Sequence, residues 1–95
     1  MPVREINSFA DLYYYLQSLS DQFEKLGVSE IAAQLKRASL FAYGIPTEEF
    51  VCESKDVLLS VQKMFAHKLT EEQREELDSA IGVIKKGFRD AGRPW

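Results

Sequence analysis

A repeated stop-and-start signal restricts this chain more than any other feature, because it cuts the sequence into helical lengths. In AYGIPTEEF, residues 42–50, Gly44 suits the left-handed position that closes a helix, since it has no Cβ to clash. Ile45 falls where it can touch Leu40, and Pro46 cannot continue the helix. Thr47 is placed to accept from the free amides of the next helix, and Glu48 and Glu49 suit its positive end. The same grammar recurs in FEKLGVSEI, where Gly27 stops one helix, Val28 can reach back to Phe23, and Ser29 begins the next. In KLTEEQ, Thr70 with Gln73 three residues on makes a capping box, and Ser8 before FADL is a fourth cap with Asp11 in the first turn.

These marks predict helices at about 8–26, 29–43, 47–67 and 70–90. The junction near Leu69 has neither Gly nor Pro, so a continuous, kinked helix through it stays open. Val3–Ile6 is the one strand-like stretch, and a single short strand cannot make a sheet. With connections of two or three residues, sequence neighbours pack antiparallel. The expectation is an all-α, four-helix up-down bundle, one domain over residues 1–95.

Apolar spacing supports the bundle. The first helix carries Phe9, Leu12, Leu16, Leu19, Phe23 and Leu26; the second Val28, Ile31, Leu35, Ala38 and Ala42; the fourth Leu77, Ile81, Ile84, Phe88 and Ala91. Alternating steps of three and four are the spacing of a seam packed at a shallow crossing angle. The third helix differs. Its apolar residues come as triplets one heptad apart, Phe50-Val51-Cys52, Val57-Leu58-Leu59 and Met64-Phe65-Ala66, with Val61 between. They cover roughly 240° of the circumference, against the ~100° or slightly wider stripe of a surface helix. Such a helix is covered on two sides, either by the other three helices or by another chain. Cys52, Leu59 and Ala66 are its candidate interface positions.

Composition narrows the function classes. A hydrophobic fraction of 45% and a charged fraction of 28% are ordinary for a globular protein. A net charge of −3 provides no electrostatic reason to approach nucleic acid or anionic lipid. The lone Cys52 allows no internal disulfide, MPVREINSF lacks the apolar stretch of a signal peptide, and no run reaches the ~18 apolar residues of a membrane span. A cytoplasmic location is expected.

Catalytic constellations are scarce. Cys52 and His67 are the one nucleophile–base pair on offer, and 15 residues of helix would hold them ~22 Å apart. One Cys and one His leave only carboxylates for a metal, and Glu48, Glu49 and Glu53 read as an acid-enriched helix start. The acidic EEQREE at 71–76, answered by Lys85, Lys86 and Arg89, likewise stabilises one helix by its dipole. No glycine-rich phosphate loop is present; Gly87 lies beside the apolar stripe of its helix, where it permits close helix approach, and Gly82 lies away from it without an evident role. No catalytic residue, cofactor or metal is expected.

LGVSEIAAQLKRA has the turn of a DNA-binding helix-turn-helix, but Gln22 stands where an apolar residue is wanted, and Ala33 and Lys36 occupy core-facing places of that motif. Two residues bear on a protein partner instead, Tyr14 being either a tolerated surface tyrosine or an interface residue. Tyr14, in the run Tyr13-Tyr14-Tyr15, lies about 170° from the centre of the first helix's stripe, while Tyr13 and Tyr15 flank that stripe with hydroxyls at its rim. Trp95, after Gly-Arg-Pro, either folds back over the bundle end or docks onto a partner.

The hinge Gly44-Ile45-Pro46-Thr47-Glu48 between two amphipathic helices resembles that of small uncharacterised bacterial all-α proteins, a likeness that implies no activity. The function expected is a non-catalytic protein–protein interaction module, homodimeric, with Tyr14 or Trp95 at the contact. Two alternatives are a nucleic-acid-binding regulator using Lys36 and Arg37 on helix 29–43, and an antitoxin- or immunity-like inhibitor of a basic partner.

Overall fold

The computed structural model describes residues 6–40 and 48–93. They form four α-helices: α1 (Phe9–Lys25), α2 (Ser29–Leu40), α3 (Glu48–Met64) and α4 (Glu71–Asp90), with a 3₁₀ turn at Ala66–Lys68. The described residues contain no strand. The Gly44–Thr47 hinge, Ala42 and Trp95 lie outside the described residues.

The predicted caps set most of the helix ends. Ser8 Oγ accepts from the Asp11 amide at 3.2 Å, and the Asp11 carboxylate accepts from the Asn7 amide at 3.1 Å. Thr70 and Gln73 form the full reciprocal box, at 3.2 and 2.8 Å. Gly27 takes φ 83°, and two bonds close α1 behind it: Val28 N–H to the Phe23 carbonyl and Gly27 N–H to that of Glu24. Gly92, at φ 72°, closes α4 in the same way, with Arg93 N–H on the Phe88 carbonyl. α2 begins at Ser29, as expected. The Ala32 amide donates to the Val28 carbonyl, which makes Ser29 the first helical residue.

Near Leu69 the helix breaks. The chain leaves α3 at Met64, tightens into the 3₁₀ turn, and becomes extended at Leu69, whose side chain is buried. The Ala66 carbonyl accepts both the Leu69 amide at 3.1 Å and Arg74 Nε at 3.0 Å, which ties the break to the start of α4.

Packing follows chain order, α1 on α2, α2 on α3, α3 on α4, with α1 against α4 the thinnest side. Phe9 meets Phe50 near the starts of α1 and α3, and Phe23 meets Phe65 near their ends, so these helices run the same way. Gln62 reaches Asp78 while Lys55 lies over Phe88, which makes α4 antiparallel to α3. The core is one cluster to which all four helices contribute: Leu12, Leu16, Phe23, Leu35, Leu58, Val61, Leu77 and Ile84 are almost wholly buried. Ile6 joins it from ahead of α1.

The third helix departs from expectation. Its buried residues are Phe50, Val51, Ser54, Val57, Leu58 and Val61, a stripe about 120° wide at ~100° per residue. Cys52 and Leu59 are only half-buried, and Met64 is 55% exposed. The wide girdle narrows in two ways: Cys52 and Leu59 each border an open groove, and α3 ends at Met64. Phe65 and Ala66 then leave the helix, and Phe65 turns onto the ring of Phe23.

Candidate functional site

Two open grooves lie on the α3–α4 side. The first sits at the end of the bundle where α1 and α3 begin and α4 finishes, and encloses about 350 Å³. Phe9 comes from the first turn of α1, Val51 and Cys52 from α3, and Gly87, Phe88 and Ala91 from α4, with Asp90 and Arg93 among the lining residues. Its shape depends on two contacts. Phe9 stands edge-on to Phe50, with ring centroids 6.2 Å apart. A Cβ at Gly87 would lie 3.1 Å from Phe9 Cζ, so the absent side chain is what lets the ring settle on α4. The expected close approach at Gly87 is therefore made to a side chain of α1. Lys55 Nζ lies 5.0 Å from the centre of the Phe88 ring, a favourable cation–π distance.

The second groove, about 330 Å³, runs along the outer edge of the α3–α4 contact and is lined by Leu59, Gln62, Asp78, Ile81, Gly82 and Lys85. Gln62 Nε2 donates to Asp78 Oδ1 at 3.3 Å across it. A Cβ at Gly82 would meet nothing within 4 Å.

A third, smaller space of about 100 Å³ lies between α1 and α4, lined by Tyr15, Ser18, Leu19, Gln22, Gln73 and Glu76. Tyr15 is only 4% exposed and its hydroxyl has no hydrogen-bond partner. Burial, then the nearby Glu76 and Asp78 carboxylates, hold this phenol well above the ordinary tyrosine range. It stays neutral and gives no accessible base. The expected rim position of this hydroxyl is thus wrong: the ring is pushed inward because α4 closes over that side of α1. Tyr13 is half-buried and does keep its hydroxyl near the rim, where it accepts from Gln17 Nε2 at 2.9 Å.

The sequence-derived interface residues do not converge. Tyr14 is 61% exposed on α1, stacked edge-on against Tyr13 at 5.2 Å. Cys52 and Leu59 lie one heptad apart on α3 and line different grooves. Ala66 is half-buried in the 3₁₀ turn, and Trp95 falls outside the described residues. Cys52 and His67 are at opposite ends of the third helical segment, His67 exposed in the 3₁₀ turn. Lys36 and Arg37 are both exposed on α2, as is Ala33. Among the described residues no three His, Cys, Asp or Glu side chains group closely enough to hold a metal, and no helix is long and apolar enough to cross a membrane.

The grooves were not evident from helical periodicity. The one available sign was Gly82, a glycine in mid-helix with no core to accommodate. Comparison with family models, with curated proteins and with solved structures gives no match.

Proposed function

We propose that this protein is a non-catalytic helical interaction module that acts as a homodimer. One observation carries the reading. Two apolar residues of α3, Cys52 and Leu59, remain half-buried at two open grooves on the same α3–α4 side of the bundle. Grooves of this size on a 95-residue chain leave apolar surface that a second copy would remove from water, at about 25 cal/mol per Å². A two-fold dimer is the commonest form of small soluble oligomer. The separation of Cys52 from His67 and the neutral, enclosed Tyr15 phenol favour binding over catalysis.

Sedimentation equilibrium at tens of micromolar protein tests this. A mass twice the 10.9 kDa of the chain is expected; a single species at 10.9 kDa across that range would overturn it.

A further inference from the structure

Gly82 is the starting point. It sits in the middle of α4, exposed, where glycine is the poorest helix former after proline, and among the described residues nothing occupies the space a Cβ would take. The fold itself therefore supplies no reason for it.

The residues on the same strip of α4 supply one. Counting out from Gly82 in helical steps gives Asp78 and Glu75 towards the N-terminus, and Lys86 and Arg89 towards the C-terminus. The steps are four then three on each side, so all five lie within about 40° of one line along the helix. All five are exposed. One arm of the strip is acidic, the other basic, and glycine stands at the centre. The helix dipole accounts for acids in the first turn and bases in the last, but its influence falls off within one turn. Asp78, in the third turn, lies beyond that reach, and the dipole does not select a single strip or a central glycine.

From this palindrome we infer that α4 pairs antiparallel with α4 of a second copy, across a two-fold axis passing at Gly82. The inference rests on the self-association proposed above and names its surface. In this arrangement Glu75 of each copy faces Arg89 of the other, and Asp78 faces Lys86, each pair occurring twice because the contact is isologous. Parallel pairing would set acid on acid and base on base. The two glycines meet at the axis, where the missing side chains let the backbones approach closely. The same axis brings the Leu59–Ile81 grooves of both copies to one flank of the seam, so that half-buried Leu59 gains cover. The glycine crossing and the four charge pairs hold the two copies together and set their direction, and half-buried Leu59 adds a small apolar contact at the flank. Added salt accordingly weakens the dimer.

Charge reversal tests the inference on the full chain. One variant carries Glu75→Arg with Asp78→Lys, the other Lys86→Asp with Arg89→Glu, and circular dichroism checks that each keeps its helix. Each alone is expected to sediment as a monomer, with a dissociation constant raised at least tenfold; an equimolar mixture is expected to re-form a dimer. If the wild type is itself a monomer, self-association and this surface fall together. If the wild type dimerises and both variants still do, self-association stands and the α4 seam is wrong. Monomeric variants that do not pair on mixing also overturn it. Should either variant lose its helix, the chain with all four reversals, whose net charge equals that of the wild type, replaces both. It must dimerise with itself and not exchange with wild type, and free exchange would sink the proposal.

Discussion

Ile6 is tied to Ser79 through both of its backbone groups: its N–H donates to Ser79 Oγ at 3.2 Å, and its carbonyl accepts from the same hydroxyl at 3.4 Å. This anchors a residue ahead of α1 against α4, 73 positions away, with its side chain in the core at 2% exposure. The α1–α4 side is the thinnest of the bundle, and Ile6 fills it from outside the helices.

Ser79→Ala is therefore expected to cost about 1 kcal/mol, and Ile6→Ala about 2–4 kcal/mol, in urea unfolding. If both variants unfold at the wild-type midpoint, the segment ahead of α1 does not dock as described.

The two unpartnered buried hydroxyls make a prediction of opposite sign. Neither Tyr15 Oη nor Ser54 Oγ has a hydrogen-bond partner, so Tyr15→Phe and Ser54→Ala should be neutral or stabilising, by up to about 1 kcal/mol each. A loss above about 1 kcal/mol in either variant would show that the hydroxyl is satisfied in solution.

Tyr15 also makes stability depend on alkaline pH. Its folded pKa lies above the unfolded value, so the unfolded chain ionises first, at about pH 10. Its stabilising contribution is complete below that pH. Above it the contribution falls by at most about 1.4 kcal/mol per pH unit until the folded phenol ionises too. Tyr15→Phe should remove this part of the alkaline slope, which chemical denaturation between pH 9 and 11 would measure; an unchanged slope would contradict it.

Gly82 and Gly87 should respond differently to alanine. At Gly82 the new methyl meets nothing within 4 Å, so the full helix gain of about 1 kcal/mol is expected in dilute protein, together with weaker self-association. At Gly87 the Cβ would press on Phe9 Cζ at 3.1 Å, which offsets the gain. Removing the ring with Phe9→Ala should restore it, so the double-mutant cycle for Phe9 and Gly87 should show coupling of about 0.5 kcal/mol or more. An additive pair would mean the ring does not rest on α4.

Thr70→Ala should cost about 1–2 kcal/mol, since it breaks half of the box that starts α4 beside the Leu69 break. Combining it with Gln73→Ala should add less than the sum of the single effects, because the two side chains satisfy one helix end together.

Much of the fold was legible because helix ends are local chemistry. Ser8, Gly27, Ser29 and Thr70 act within a few residues of themselves, and each marks the helix end that its residue type and spacing implied. The seams were legible for the same reason. Leu12, Leu16, Leu19 and Phe23 are buried as their spacing required, whereas Phe9 and Leu26, at the two ends of that seam, are 37% and 48% exposed.

Around α3 the reading failed where it depended on neighbours. Periodicity counts apolar residues but cannot say which helix will cover them, so Cys52 and Leu59 looked like members of a continuous girdle when each borders a groove. The break after Met64 was undecidable for a related reason. No glycine or proline marks it, and Phe65 leaves the helix to meet Phe23, a partner 42 residues earlier.

By itself, then, the sequence determined that the chain is helical, where most helices begin and end, and which face of each turns inward, because dihedral preference, capping and hydrophobic period all act over one or two turns. Only the tertiary structure decided that Ile6 belongs to the core, that the Tyr15 hydroxyl is enclosed instead of lying at the rim, that Gly87 makes room for Phe9, and that no described side chain stands over Gly82. Those outcomes depend on which side chains distant in the chain compete for the same volume, and that is settled only when the helices pack.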